Sequence, residues 1–466
     1  MQFMQLISKG RTGGYFALVV LSALAGLAGC APGQDNPGPS VGRFDASSYV
    51  AVGDSYSSGY SNGRLTRTGQ STSYPALLAR QVRLAGAGAA FPQALLPEGS
   101  PAAYAGPTCS GPQTVPQFGA RAAALPQDLT LPGLRLADVE TAGYGNAATP
   151  AFNPYFERLL PVANDNRTYL QAVTAAAQSA TFFTYFAGMD DILPYLQSGG
   201  TCGNLPLVIT RFVNNLPVNT CPGLDAKAER LLDQLTANGR RGIIAQLPPV
   251  RQSFKKDDND TKITKVPTLP LLREAEAVQR QFQVGADTAR LYVTNSTYGD
   301  VAAAIDTELV LASAVARIGQ LTPVVVNGVT VQLPYGRNIR NPLVDADVID
   351  ADEFKKVEAV VSVHNDYLLM LAKTKYQLPS VEVRNTNAST LNLSDAVFGK
   401  VSKGLSIGGV QYSAVPGSGG IFSADGYTFT PRGNGLLANA FIQALNMAYS
   451  ANIPFIDINA LPTTAQ

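Results

Sequence analysis

Two stretches of this chain carry residue types that suit nucleophilic chemistry. In the first, the apolar run of residues 50–53 is followed by Asp54 and Ser55. A buried strand that ends by presenting a serine on a tight turn has this pattern. The second stretch places Asp425 three positions before Thr428, near the other end of the chain. A serine nucleophile needs a base for its proton and donors for an oxyanion, so both must be found elsewhere.

Two further stretches lie between these. A Pro-Gly turn contains Gly133, whose backbone amide is available as a donor. The aromatic run of residues 182–186 is followed by Gly188 and then by Asp190 and Asp191. An ionised carboxylate at position 190 accepts hydrogen bonds and donates none. Together the four stretches supply a nucleophile, a backbone donor and several carboxylates, but no imidazole.

In chain order, the four stretches resemble the four blocks of the SGNH (GDSL) hydrolase family. The resemblance implies an α/β fold, a three-layer α/β/α, flavodoxin-like domain with a doubly wound parallel sheet. It also implies that Ser55 hydrolyses acyl esters of lipids or carbohydrates without a cofactor. In the family pattern, Asp425 and a histidine at position 428 complete the triad. The amides of Ser55 and Gly133 and an asparagine at position 190 form the oxyanion hole.

This chain departs from that pattern at two positions. Thr428 stands at the histidine position and cannot act as a base near neutral pH, and loss of a triad base costs about 10⁴–10⁶ in rate. Asp190 stands at the asparagine position, and loss of that donor costs about 10²–10³ in rate. The sequence therefore predicts an impaired site that binds an acylated lipid or glycan, and it leaves open whether the protein is an enzyme.

Two alternative interpretations are retained. A working esterase would need another base, such as Tyr427, a residue of an insertion, or His364, which is the single histidine. His364 lies at helical spacing from Val357 and Val361, which favours a structural position facing the core. The other alternative is a structural surface lipoprotein whose cleft is filled by the insertions, and a cleft plugged by Phe429 or Tyr427 would support it.

The aspartates of the four stretches raise a separate hypothesis. Asp54, Asp190, Asp191 and Asp425 are all expected at the carboxyl edge of the predicted sheet. Without a histidine to balance them, they would attract a hard cation such as calcium. Separate roles in capping and in bracing turns are the favoured interpretation, so the sequence predicts no resident metal.

The first 43 residues predict export and a lipid anchor. A basic start, an apolar run and Leu-Ala-Gly-Cys at residues 27–30 resemble a bacterial lipoprotein signal peptide, residues 1–29, that precedes an acylated Cys30. Residues 30–43 are rich in Pro, Gly and Ser and are expected to form a flexible tether. We therefore expect a protein anchored to a bacterial membrane, most simply the outer membrane, facing the periplasm or the surface.

Export also affects the interpretation of the cysteines, because exported proteins can keep disulfides. With Cys30 assigned to the lipid, Cys202 and Cys221 flank a short segment rich in turn residues. They are predicted to form a disulfide worth about 3 kcal/mol. Cys109 is left without an assigned role, and no cysteine spacing indicates a zinc site.

Apolar runs alternate with amphipathic stretches along residues 44–466, which predicts a single α/β domain. Strands are expected at 49–52, 179–187 and 242–247, and helices at 74–82, 226–238, 354–373 and 436–449. Insertions rich in turn residues, near 88–125, 251–345 and 385–420, are expected to cover the site. The 35 basic and 34 acidic residues nearly cancel, so nothing indicates a nucleic-acid partner.

Overall fold

The computed structural model describes residues 38–86, 88, 91–102, 121–255, 263–282, 290–294, 301–303, 308–381 and 405–465. Residues from Pro39 onward belong to one body. The predicted signal peptide, the lipidation site Cys30 and Cys109 lie outside the described residues. In the part of the chain that is described, no helix combines the length and the apolar character needed to cross a bilayer.

The strands are short. In chain order they are β1 (Tyr49–Gly53), β2 (Phe182–Phe186), β3 (Ile209–Val213), β4 (Leu216–Thr220), β5 (Arg241–Ala245), β6 (Arg251–Lys255), β7 (Ile263–Pro267), β8 (Leu272–Glu274), β9 (Tyr292–Thr294), β10 (Val301–Ala303), β11 (Leu309–Leu311), β12 (Leu321–Val326), β13 (Val329–Pro334), β14 (Val348–Ile349), β15 (Ser380–Val381), β16 (Leu405–Ile407) and β17 (Val410–Tyr412).

The α-helices include three of 15 residues or more. In chain order the helices are α1 (Arg67–Ser71), α2 (Tyr74–Leu84), α3 (Pro154–Leu159), α4 (Tyr169–Ala177), α5 (Leu193–Gln197), α6 (Pro222–Thr236), α7 (Ala275–Gln281), α8 (Ala312–Val315), α9 (Ala351–Met370) and α10 (Pro431–Tyr449).

A four-stranded parallel sheet forms the centre of the body, with the strand order β1-β2-β5-β15. The extended segment 127–131 runs parallel to β1, because the amide of Ala51 donates to Gln127 and the amide of Leu129 donates to Ala51. Every residue of β1 and β2 is buried, as expected of parallel strands covered on both faces. The chain is therefore a mixed α/β protein.

Helix pairs cover this sheet. Helix α2 packs on α10, where the ring of Tyr74 stacks on Phe441 with centroids 4.4 Å apart. The hydroxyl of Tyr74 also donates to Thr184 of β2 over 3.3 Å, which ties this helix pair to the sheet. Helix α4 packs on α6 and contacts β1, and α6 also contacts α9.

The central elements agree with the sequence prediction, with shifted ends. Helix α10 begins at Pro431, five residues before its predicted start, because the hydroxyl of Thr430 caps it by accepting from the amide of Gly433. Helix α9 begins three residues early because Asp350 and Glu353 form a capping box. Its last turn widens into a π-helix over Leu371–Tyr376.

Much of the predicted insertion 251–345 is ordered into small sheets. Strands β8, β11 and β14 form an antiparallel three-stranded sheet, and β6–β7 and β12–β13 form hairpins. The β12–β13 turn contains Asn327 and Gly328, both with positive φ, and Asn-Gly is a strong hairpin signal. The density of turn residues in 251–345 predicts an irregular segment, but the apolar runs between those residues form strands.

The predicted disulfide between Cys202 and Cys221 is wrong. Cys221 is a free, fully buried thiol at the N-terminus of α6, and its Sγ lies 4.0 Å from the carbonyl oxygen of Val360 on α9. Its side chain turns into the packing between the two helices. Cys202 is disulfide-bonded, and its partner lies outside the described residues.

Candidate active site

The turn after β1 presents Ser55 at the carboxyl edge of the sheet, as predicted, and Asp54 holds this turn in place. Asp54 Oδ2 accepts from the amides of Gly188 (2.9 Å) and Met189 (2.8 Å) after β2, while its Oδ1 accepts from the amide of Tyr56 at 3.1 Å. These bonds join the turns that follow two neighbouring strands. Asp54 is therefore a structural brace, as the sequence analysis favoured.

Ser55 is bound on two sides. Its Oγ donates to Oδ2 of Asp190 over 2.7 Å, and its backbone amide donates to the same oxygen over 3.0 Å. From the other side, the amide of Gly133 donates to Ser55 Oγ over 3.1 Å. The structure therefore brings together three of the predicted site residues, and Ser55 is only 5% exposed.

Gly133 is positioned by the loop that follows segment 127–131. Its φ of 72° lies in the left-handed region, which suits glycine after a proline in a turn. The hydroxyl of Tyr144 donates to the carbonyl of Gly133, and the side-chain amide of Asn153 donates to that of Pro132. The backbone donor is therefore held in a fixed direction.

Asp190 occupies the position where the family pattern has an asparagine donor. Burial and the negative charge of nearby Asp54 raise the pKa of Asp190 well above its ordinary value. Its Oδ2 accepts a hydrogen bond from the amide of Ser55, which is one of the donors that would otherwise stabilise an oxyanion. The site therefore contains an internal acceptor where a substrate oxygen would have to bind.

Asp191 faces a different partner. Its two carboxylate oxygens accept from the amides of Leu136 (2.7 Å) and Ala137 (3.2 Å), at the start of a short 3₁₀-helix. Burial raises its pKa to about 7, although those amides favour the ionised form. Among the described residues there is no group of three or more acidic, His or Cys side chains that could hold a metal ion. The contacts of Asp54 and Asp191 are those of the separate bracing roles that the sequence favours.

Asp425 and Thr428 form a closed pair. Asp425 Oδ1 accepts from the amides of Tyr427 (3.0 Å) and Thr428 (2.9 Å), and the hydroxyl of Thr428 donates to Oδ2 of Asp425. The hydroxyls of Ser423 and Thr428 lie 2.8 Å apart, and Thr428 is fully buried. The hydroxyl of Thr428 has one proton and donates it to Asp425. Ser423 must therefore be the donor between the two hydroxyls.

Tyr427 is the residue of this fourth stretch that lines the cavity at Ser55. Burial and the charge of Asp425 raise its pKa further above the ordinary tyrosine value. It therefore keeps its proton at neutral pH and is a poor base for Ser55. Phe429 does not plug the cleft, because it is buried against Tyr56 and Phe422.

His364 serves the packing of two helices. It is fully buried on α9, and its Nδ1 lies 2.7 Å from Oδ1 of Asp225 on α6. Its Nε2 has no hydrogen-bond partner among the described residues. Asp225 in turn accepts from the amide of Cys221 over 2.7 Å. This agrees with the structural position that the helical spacing favoured, and it leaves no imidazole at Ser55.

The space beside Ser55 is small. A cavity of about 20 Å³ is present there, enough for roughly one water molecule. It is lined by Ser55, Gly133, Arg135, Asp190, Leu193, Pro194, Gln197 and Tyr427. Arg135 also lines a second cavity of about 250 Å³, and it forms an ion pair with Asp138 at 2.6 Å.

Sequence reasoning missed two features of this site. It treated Asp190 as a lost donor, whereas the structure makes it the acceptor of Ser55. It also passed over Arg135, although its place directly after the Pro-Gly turn was a signal that a charged side chain would reach the site.

Comparisons of this chain with protein-family models, curated proteins and solved structures find no match. The class of the site therefore follows from its geometry. It is a serine–carboxylate centre at the carboxyl edge of a parallel sheet, with one backbone donor aimed at the serine oxygen.

Proposed function

We propose that this protein is a bacterial lipoprotein of the SGNH hydrolase type whose serine centre does not hydrolyse esters. In this proposal Cys30 carries the acyl anchor, the body is exported and stays at a membrane, and the region around the old cleft binds an acylated lipid or glycan. No cofactor and no nucleic acid take part.

The order of the central sheet supports the proposed fold. With segment 127–131 counted as the second strand in the chain, the spatial order is second, first, third, fourth, fifth. Flavodoxin-like doubly wound sheets have this order and place their sites at the carboxyl edge. Ser55, Gly133 and Asp190 follow three adjacent members of the sheet, which is the arrangement that the family resemblance requires.

One observation carries the loss of hydrolysis: both donors of Ser55 point at the carboxylate of Asp190. An ester carbonyl entering the site would have to displace this carboxylate from the amide of Ser55. It would then develop negative charge beside Asp54 and Asp190, two buried acids that repel that charge whenever they are ionised. No imidazole is present to receive the proton, since His364 is bound to Asp225.

Ligand binding is supported by the second cavity, which shares Arg135 with the small cavity at Ser55. Its 250 Å³ is somewhat less than the roughly 300–1,000 Å³ of sites for drug-sized molecules, so it suits one sugar ring or a short acyl group. Arg135 and Asp138 offer a donor and an acceptor, and Tyr144 and Phe152 offer apolar walls. This mixture of groups is typical of sites for hydroxylated ligands.

Hydrolysis is tested with the full chain and p-nitrophenyl acetate at neutral pH, beside the Ser55→Ala variant. We expect the two proteins to give the same slow release of p-nitrophenol. Turnover that is fast in the native chain and absent from Ser55→Ala would contradict the proposed loss of catalysis.

Binding is tested separately by calorimetric titration with an acetylated oligosaccharide and with a short-chain phosphatidylcholine. Arg135→Ala should weaken binding of the recognised probe at least tenfold. Arg167→Ala is the matched control, because Arg167 has a similar exposure and pairs with its neighbour Asp165 over 2.8 Å. If neither probe binds, or if both variants bind equally, the cavity is not the site, and a purely structural lipoprotein becomes the better description.

A specific observation also favours a second candidate, an active serine esterase that uses Asp190 as its base. The carboxylate lies at hydrogen-bond distance from the serine hydroxyl, which is the geometry that a base requires. Ser55 Oγ would bond to the carbonyl carbon while its proton passes to Asp190. The protonated Asp190 would then donate that proton to the leaving alkoxide as the C–O bond breaks.

Labelling with a fluorophosphonate distinguishes the two candidates. The esterase predicts labelling of Ser55 that rises with pH as Asp190 ionises and that disappears in Asp190→Asn. The non-hydrolytic protein predicts no labelling of Ser55 at any pH between 5 and 9.

A further inference from the structure

The β3–β4 hairpin is an unusual element of this body, because it is almost wholly exposed. Eight of its ten strand residues are exposed, and only Ile209 and Thr220 at its base are partly buried. In the described part of the chain, the two strands form a sheet of their own, which contacts α9 through β4. An isolated two-stranded hairpin is at best marginally stable in water. We therefore expect another surface to cover this hairpin and stabilise it.

Its exposed side chains are mostly apolar. Phe212 is 72% exposed and Leu216 is 67% exposed, and Val213 and Val218 are also exposed. Phe212, Val213 and Leu216 lie around the tip, where Asn214 and Asn215 make the turn with positive φ. Exposed apolar patches of this kind mark interaction surfaces.

The apolar surface continues beyond the hairpin. Leu207, on the segment that leads into β3, is 75% exposed and lines a cavity of about 680 Å³ beside α9. The β12–β13 hairpin differs, because alternate residues of β12 are partly buried and one of its faces therefore packs on the body. In β3–β4 neither face is covered among the described residues.

The charges of this segment indicate what covers it. Between Asp191 and Asp225 the chain contains one charged residue, Arg211, and no acid. A water-exposed protein surface normally mixes charges of both signs. A segment without acids and with one arginine next to Phe212 suits a bilayer interface, because the apolar tip enters the acyl region and the guanidinium reaches the anionic headgroups.

We infer that the tip of the β3–β4 hairpin inserts into the membrane surface, with a phospholipid bilayer as its partner. Phe212, Val213 and Leu216 contact the acyl chains, and Arg211 contacts lipid phosphate. The inference rests on the proposed anchor at Cys30, which keeps the body beside a bilayer. The hairpin then provides a second contact that fixes how the body is oriented.

The experiment uses the full lipidated chain in vesicles of phosphatidylethanolamine and phosphatidylglycerol. A polarity-sensitive NBD label is attached to Leu216→Cys, and the unsubstituted chain reports whether the buried Cys221 reacts. Val162→Cys is the matched control, because Val162 is 60% exposed and lies outside the hairpin. We expect a severalfold rise in NBD emission and quenching by doxyl-labelled lipids at position 216, and neither effect at position 162.

Two further variants test the apolar tip itself. Phe212→Asp in the labelled chain should abolish the gain in emission, whereas Thr210→Asp, at the exposed base of the same strand, should retain most of it. An equal response at positions 162 and 216 would mean non-specific adsorption and would overturn the inference. So would an emission rise without vesicles that accompanies self-association in light scattering, because it would assign the hairpin to a second copy of the chain.

The experiment distinguishes failure of the proposed anchor from failure of the proposed hairpin insertion. A chain that floats with the vesicles while the label at position 216 stays in water overturns hairpin insertion alone. A chain that does not float and shows no emission change overturns both the anchor and the hairpin contact.

Discussion

At the scale of single residues, the two hydrogen bonds from Ser55 to one oxygen of Asp190 decide how this centre behaves. The serine is positioned like a nucleophile, and the amide of Gly133 is aimed at its oxygen. Yet the acceptor that holds the serine proton also occupies its amide, and Asp54 lies close enough to raise the pKa of that acceptor. Ser55 is therefore placed like a nucleophile, but its amide and its hydroxyl are both bound to the carboxyl group of Asp190.

If the proposed function is correct, two changes together should give the protein esterase activity. Asp190→Asn replaces the acceptor with an amide donor, and Thr428→His places an imidazole next to Asp425. We expect the double variant to hydrolyse p-nitrophenyl acetate at least about 10³-fold faster than the native chain, because one lost donor alone accounts for about 10²–10³ and a lost base for more. Each single change should gain less than tenfold, since the other defect persists.

The control for this restoration is Ser55→Ala in the background of the double variant. That third change should return turnover to the native level. If the double variant gains nothing although it unfolds at the native temperature, the cleft has lost more than these two residues. A gain that survives Ser55→Ala would assign the new activity to another group.

The sequence predicts that Ser55, Gly133 and Asp190 lie together, but not how they contact one another. Ser55, Gly133 and Asp190 follow recognisable strands and turns, and the order of these stretches was sufficient to place them at one edge. That Asp190 accepts from Ser55 depends on how the turns after β1 and β2 face each other, which Asp54 sets by accepting from four backbone amides. Such a contact depends on tertiary geometry, and residue spacing carries no signal for it.

At the scale of elements, the single histidine and the free cysteine both have structural roles in the interface between α6 and α9. His364 and Asp225 join the two helices through a buried hydrogen bond, and the thiol of Cys221 fills the space beside Val360. Burial raises the pKa of Cys221 to about 12, so the thiol stays protonated and unreactive. The pairing of the cysteines could not be predicted because their separation along the chain says nothing about the direction of their side chains.

Removing one partner of this buried pair should be costly. Asp225→Ala leaves His364 without its bond at Nδ1 and leaves the amide of Cys221 without its acceptor. We expect the free energy of unfolding to fall by about 3 kcal/mol, the usual cost of breaking a buried polar pair. Chemical denaturation measures this change.

Asp233→Ala is the control, because Asp233 lies on the same helix and pairs with Lys375 at the surface. That variant should lose about 1 kcal/mol or less. Equal losses in the two variants would show that His364 contributes no more than a surface ion pair.

At the scale of the whole molecule, several buried carboxyl groups meet at the carboxyl edge of one sheet. Burial raises the pKa of Asp54 to about 6 and that of Asp191 to about 7, and the pKa of Asp190 is raised further by the charge of Asp54. Each group holds its proton more tightly in the folded chain than in the unfolded chain. Their contribution to stability is therefore complete below about pH 4 and is lost as the pH rises through 6 and 7.

The protein should consequently be more stable at pH 5 than at pH 8. Asp54 alone accounts for about 1.4 kcal/mol of this difference, because only the part of its titration above pH 5 falls within the range. Acids in ion pairs oppose this trend only at lower pH, because the pKa values of Glu140 and Glu229 are lowered by their basic partners. Denaturant titrations at constant ionic strength across pH 5–8 measure the slope.

Asp191→Asn should flatten this slope between pH 6 and 8, because it removes one of the groups that must ionise inside the protein. Glu276→Gln, in an exposed ion pair with Arg280, should leave the slope unchanged. Stability that is constant or rises from pH 5 to pH 8 would mean that the buried carboxyl groups ionise without penalty. In that case Asp190 would be charged at neutral pH. That result would favour the esterase that uses Asp190 as its base over the protein that does not hydrolyse esters.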